Sequence, residues 1–84
     1  MPRLEKKLIE LGYKNTPIKN RYIKVIDCTT WICIWMENKE EIEVAFVINE
    51  NAYTNQQDIN DLQKAYYLMQ RDLEILKGVE DDNI

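Results

Sequence analysis

One stripe in the C-terminal third constrains the fold more than any other feature. Ile59, Leu62, Tyr66, Met69, Leu73 and Leu76 recur at intervals of 3, 4, 3, 4 and 3, the spacing of one face of an α-helix. Thr54 and Gln57 stand in the T-x-x-Q relation of a capping box. Lys77 supplies a basic last turn, and Gly78, followed by Val79, supplies a C′ stop. The spacing predicts a helix over 55–77, about 35 Å long. A seven-residue strand spans only about 23 Å, so this helix outruns any sheet it covers. Its stripe is either intramolecular core or, with Leu68, Ile75 and Tyr67 widening the apolar surface, a seam between two copies. In a chain of 84 residues there is room for one domain and one modest core. A single αβ domain is expected over 1–79, with 80–84 as a disordered acidic tail.

Before the helix come three runs rich in Val, Ile, Thr and aromatics, at 22–27, 30–36 and 42–48, which read as strands. Their short connections predict antiparallel neighbours in chain order. Near the start, Leu4, Leu8 and Leu11 recur at helical spacing after Pro2 and before Gly12. These predict a short amphipathic helix over 2–11. Residues 13–21, with Asn15, Thr16, Pro17 and Asn20, read as a loop. The expected fold is α+β, in the order α-β-β-β-α, with a three-stranded antiparallel sheet under a long C-terminal helix.

The shortest turns set Val25 opposite Ile32 and Ile23 opposite Ile34, then Ile34 opposite Val44 and Ile32 opposite Phe46. One face then carries Ile23, Val25, Ile32, Ile34, Met36, Ile42, Val44, Phe46 and Ile48, the natural core under the helix. The other carries Tyr22, Lys24, Ile26, Trp31, Cys33, Trp35, Glu43, Ala45 and Val47, with Tyr22 opposite Trp35. A three-stranded antiparallel sheet normally keeps one polar, solvated face. Both tryptophans and a tyrosine on that second face form an apolar patch that something should cover. The N-terminal helix is one candidate cover. A partner protein, a second copy of the chain or a flat ligand is the other, since Trp and Tyr are frequent binding anchors.

The formal net charge of −4 conceals an asymmetry. Residues 1–26 carry seven basic and two acidic side chains, a balance of +5, and residues 27–84 carry four basic and thirteen acidic, a balance of −9. Glu37, Glu40, Glu41 and Glu43 cluster at the second hairpin, and Asp58, Asp61, Asp72 and Glu74 lie on the long helix. These acids are either a solvated surface or a steering surface for a basic, nucleic-acid-binding partner. The basic cluster Lys14, Lys19, Arg21 and Lys24 is the alternative, a phosphate contact for a nucleic acid. The α-β-β-β-α order is that of double-stranded-RNA-binding domains. Asp58 and Asp61, however, stand at the start of the second helix, where they repel phosphate.

Catalysis is not expected. The chain has no Ser and no His, which removes serine-hydrolase triads, Cys–His dyads and His-ligated metals. Gly12 and Gly78 are the only glycines, so no phosphate-cradling loop is available. Cys28 and Cys33 lack the further ligands a zinc site needs, and no cofactor or metal is expected. Two cysteines make no disulfide framework of the secreted kind. With no apolar leader and no membrane-length segment, the expected setting is the cytoplasm.

The segments KLIELGYK (7–14) and QQDINDLQKAYYLMQRDLEIL (56–76) resemble pieces of small accessory proteins encoded by phages and prophages of low-GC Gram-positive bacteria. The likeness covers about a third of the chain and brings no site residues with it. It implies an accessory product acting inside a bacterial host, in the manner of inhibitors of host defence such as anti-CRISPR proteins. The resulting expectation is a non-enzymatic protein-binding module that inhibits a host nucleic-acid enzyme. Tyr22, Trp31 and Trp35 are its anchors, and Glu37, Glu40, Glu41, Glu43, Asp58 and Asp61 its acidic surface. A homodimeric module is the first alternative, and nucleic-acid binding through Lys14, Lys19, Arg21 and Lys24 the second.

Overall fold

The computed structural model describes residues 3–37, 41–50 and 56–81. Helix α1 spans Arg3–Glu10 and buries Leu4 and Leu8. Its end is a Schellman motif: Gly12 N–H donates to Ile9 C=O and Tyr13 N–H to Leu8 C=O, both at 3.0 Å. Gly12 has φ 101°, a conformation a side chain would strain. The reversal delivers Tyr13 into the core and lays the next residues beside the sheet.

Those residues correct the expected strand count. Lys14–Asn15 forms a strand, β1, paired antiparallel with β2 (Arg21–Asp27) through Lys14↔Ile23 and Asn15↔Tyr22. Two residues are too short to show alternation, so this stretch reads as loop in the sequence. Strands β3 (Thr30–Trp35) and β4 (Val44–Asn49) complete a four-stranded antiparallel sheet in the order β1-β2-β3-β4. The fold is α+β, with a short helix first and a long helix last.

The register differs from expectation by one residue on both sides of β3. Asp27 pairs with Thr30, but a bulge between Val25 and Asp27 shifts the ladder, so that Val25 pairs with Trp31, Ile23 with Cys33 and Tyr22 with Ile34. On the other side Ile34 pairs with Ala45 and Cys33 with Phe46. Because side chains alternate, a one-residue slip moves a whole strand's set to the other face. Strands β2 and β4 therefore exchange faces and β3 does not. The core face carries Tyr22, Lys24 and Ile26 from β2, Ile32 and Ile34 from β3, and Ala45 and Val47 from β4. Arg21, not Tyr22, lies opposite Trp35.

Helix α2 runs over Gln56–Asp81, beyond the expected stop. Gly78 is helical, and Gly12 is the glycine with positive φ, so the chain passes straight through position 78. The expected tail begins inside the helix, since residues 80 and 81 are helical, while 82–84 lie outside the described residues, as does Thr54 of the capping box. Gln57 donates through its side-chain amide to Asp61 Oδ1 at 3.0 Å. The buried line of α2 is Ala65, Met69, Asp72 and Leu76. It is rotated from the expected stripe, and Tyr66 is left exposed.

Both helices pack on one side of the sheet. Leu4 and Leu8 from α1 and Met69 and Leu76 from α2 join Tyr13, Tyr22, Ile32, Ile34 and Met36 in one cluster. Leu68 and Leu73 pack against it, while Tyr67 and Ile75, the other residues of the expected seam, are exposed.

Candidate functional site

The side of the sheet away from the helices carries Ile23 and Val25 from β2, Trp31, Cys33 and Trp35 from β3, and Val44, Phe46 and Ile48 from β4. Val25 is 60% exposed, Ile48 and Val44 each 42%, and Trp35 38%, and the other four are half-buried by their sheet neighbours. Among the described residues neither helix covers this face. The N-terminal helix as a cover for the tryptophans is thus corrected: Leu4 and Leu8 lie in the core on the opposite side.

The face is ordered from within. The Arg21 guanidinium lies 3.9 Å from the centroid of the Trp35 ring, a cation–π contact. Phe46 meets Trp35 edge to face at 5.8 Å between centroids. Arg21 also approaches Glu37 Oε1 at 3.9 Å. Its cation is therefore held flat against Trp35 with a carboxylate at its flank. Lys14 shares this side through its pairing with Ile23. No strand position on the face between Ile23 and Ile48 carries an acid.

The anticipated site residues are only partly assembled. Trp31 and Trp35 stand on one face as expected. Tyr22 does not join them: it is buried on the helix side, because the bulge has turned β2 over. Burial first, and the neighbouring Glu5 carboxylate second, push its hydroxyl pKa up to about 12. Glu37 borders the open face; Glu41 and Glu43 are exposed before β4, and Glu40 lies outside the described residues. Asp58 and Asp61 sit on α2, across the sheet from the tryptophans. The basic cluster is split likewise. Lys14 and Arg21 are on the open face, Lys19 is exposed in the loop before β2, and Lys24 points into the core side.

Lys24 is engaged there by a group that helical spacing places among surface acids. Asp72 is fully buried. Its Oδ2 accepts from Lys24 Nζ at 3.0 Å and from the Tyr13 hydroxyl at 2.9 Å. Oδ1 is buried with no hydrogen-bond partner among the described residues. Burial first, then the Asp72 charge, pushes the Tyr13 hydroxyl pKa far upward. A signal was present in the sequence: Asp72 follows Ala65 and Met69 at the helical intervals 7 and 3, on a line rotated away from Tyr66.

Two further features complete the surface. A groove of about 580 Å³ separates α2 from the β4 edge, with Ile42, Ala45, Met69 and Leu73 among its lining residues. On the outer side of α2, Tyr66 and Tyr67 are exposed and meet edge to face at 6.1 Å. Cys28 is exposed in the β2–β3 turn and Cys33 half-buried, both as free thiols, with burial raising the pKa of Cys33. Among the described residues no cluster of three or more Cys, Asp or Glu side chains forms a metal site. No helix among them is long and apolar enough to cross a membrane. Comparisons with protein families, with curated proteins and with solved structures found no match for this chain.

Proposed function

We propose that this chain is a non-enzymatic protein-binding module that docks a partner protein on its open sheet face, with Trp31, Trp35 and Phe46 as anchors. The observation that supports this reading is the side-chain placement: eight apolar residues share one face while both helices pack on the other. An apolar sheet face of this kind marks an interaction site, and Trp with Arg is the pairing that dominates binding hot spots. Five of the eight are aliphatic or Cys, which pack against protein side chains and do not stack bases. Arg21 already occupies one face of the Trp35 ring, the position a nucleobase would need. A partner drawn from host nucleic-acid enzymes, as the phage resemblance implies, meets Glu37 at the border of the face as a steering charge, with Glu41 and Glu43 lying toward the α2 groove.

Trp31 and Trp35 are the only tryptophans, so emission reports on this face directly. Host lysate is passed over immobilised wild type, Phe46→Lys and Tyr67→Lys proteins. A partner retained by wild type and Tyr67→Lys, lost with Phe46→Lys, and shifting the tryptophan emission to the blue when purified and mixed supports the reading. A partner held equally by Phe46→Lys refutes it. A blue shift that grows with protein concentration alone replaces it with the homodimer. Binding of single-stranded or duplex RNA at low salt replaces it with nucleic-acid recognition.

A further inference from the structure

The second surface of interest is the free side of β4 together with the groove beside it. Strand β4 pairs with β3 and, among the described residues, stands at the end of the sheet. Glu50 N–H donates to Thr29 C=O at 2.9 Å. From that bond the antiparallel alternation turns the N–H and C=O of Ala45 and Val47 away from β3. The edge carries no Pro and no charge within VAFVIN, the devices by which exposed edges are normally blunted. Directly beside it lies the groove under α2, lined by Ile42, Ala45, Met69 and Leu73 and bordered by Glu41 and Glu43 from the strand side and by one cation, Lys77, from the helix. The small side chain at position 45 keeps that groove open next to the strand.

We infer that β4 accepts an added β-strand from a partner: an extended segment with apolar side chains at alternate positions and Lys or Arg at its ends. Its main chain bonds to Ala45 and Val47. The side chains on the helix side of such a strand enter the groove against Met69 and Leu73, and the alternate set extends the sheet beside Phe46. This is recognition by strand addition, in which main-chain bonds supply affinity and alternate pockets supply specificity. The charge of the edge selects the occupant. Glu41 and Glu43 precede β4 and Glu50 follows it, so both ends of the added strand meet carboxylates. A second copy is disfavoured by the same charges. A second β4 carries Glu43 before it and Glu50 after it, so it brings carboxylates, not cations, to both ends. This inference does not rest on docking at the open sheet face, since the groove lies on the other side of the sheet.

The test uses the full chain, ¹⁵N-labelled, and two synthetic ten-residue peptides of alternating valine and threonine, one with lysines at both ends and one with glutamates. With the lysine-flanked peptide, the amides of Ala45 and Val47 shift and their hydrogen exchange slows. The glutamate-flanked peptide binds at least about tenfold more weakly, as like charges at both strand ends require. Glu43→Lys narrows that preference. Ala45→Pro removes one outward N–H and abolishes binding, while its circular dichroism reports whether the fold persists. Unchanged Ala45 and Val47 amides, or equal affinity for the two peptides, overturns the inference. So does exchange protection at these amides that rises with protein concentration in the absence of peptide, which makes a second copy the occupant. Shifts confined to Trp31, Trp35 and Phe46 also overturn it, while leaving the sheet-face reading intact.

Discussion

Replacing Asp72 with leucine is the sharpest test of how this small core holds together. The change removes the carboxylate paired with the Lys24 ammonium, whose side chain is 17% exposed, and the acceptor of the buried Tyr13 hydroxyl. Breaking a buried ion pair from one side costs about 3–5 kcal/mol, because the remaining charge is left without compensation. Lys24 retains a path to water along its stem, which sets the expected loss at the low end, about 3 kcal/mol. A chain of this length has a total stability nearer about 5 than 15 kcal/mol, so the variant keeps only a narrow margin. Its midpoint temperature falls by roughly 12–24 °C, at about 4–8 °C per kcal/mol for a domain of this size. The decisive comparison is Lys24→Met with Asp72→Leu. Replacing both members of a buried pair by apolar groups of similar volume is about neutral, so the double variant is more stable than Asp72→Leu, and the Tyr13 hydroxyl left without its acceptor keeps it about 1 kcal/mol below wild type. Urea unfolding followed by tryptophan emission and by circular dichroism measures both. A single variant within about 1 kcal/mol of wild type, or a double variant no more stable than the single, refutes the claim that this pair is desolvated and coupled.

The two glycines are expected to respond oppositely to alanine. Gly78→Ala stabilises by about 0.5–1 kcal/mol, since the position is helical and an added Cβ meets nothing within 4 Å. Gly12→Ala destabilises by about 1–2 kcal/mol, because φ 101° at the end of α1 strains any side chain; thermal unfolding of the two variants separates them. Alkaline pH is a further test. Tyr13 and Tyr22 both have folded pKa values above the ordinary 10.0, Tyr22 at about 12. Above pH 10 the unfolded chain has lost protons that the folded chain keeps. The stability they contribute is therefore complete below pH 10 and declines as pH rises toward 12, by about 1.4 kcal/mol per pH unit for each tyrosine. Tyr22→Phe should flatten that decline in urea unfolding between pH 9 and 11; an unchanged slope removes Tyr22 as its source.

Much of the element plan is legible in the residues because it depends on local chemistry. Gly12 ends α1 as C′ glycines do, and the Leu4/Leu8 spacing marks the buried side of that helix. The three longer strands announce themselves by β-branched and aromatic composition. Gly78 misleads because glycine is common beyond a helix end yet is tolerated within one, and nothing nearby demands a left-handed turn. The rotated stripe of α2 misleads for a related reason. Tyr66 counts as apolar in a periodicity, but its neighbour Ala65 is the side chain small enough to lie against the sheet.

The candidate site was legible by residue type and illegible by face. Trp31 and Trp35 mark themselves, whereas Tyr22 looks like their neighbour and is not. In β2 and β4 both alternations are apolar: Ile23 and Val25 against Tyr22 and Ile26, Val44 and Phe46 against Ala45 and Val47. A strand of that composition does not specify its own buried side. Local sequence therefore determined the two helices and the three longer strands, and where α1 ends. Only the tertiary structure decided the faces. The bulge between Val25 and Asp27 turns β2 over and carries Lys24 beneath α2, where Asp72, 48 residues away, neutralises it. Placing that charge pair in the core commits Tyr22 to the interior and leaves the tryptophans on the open side.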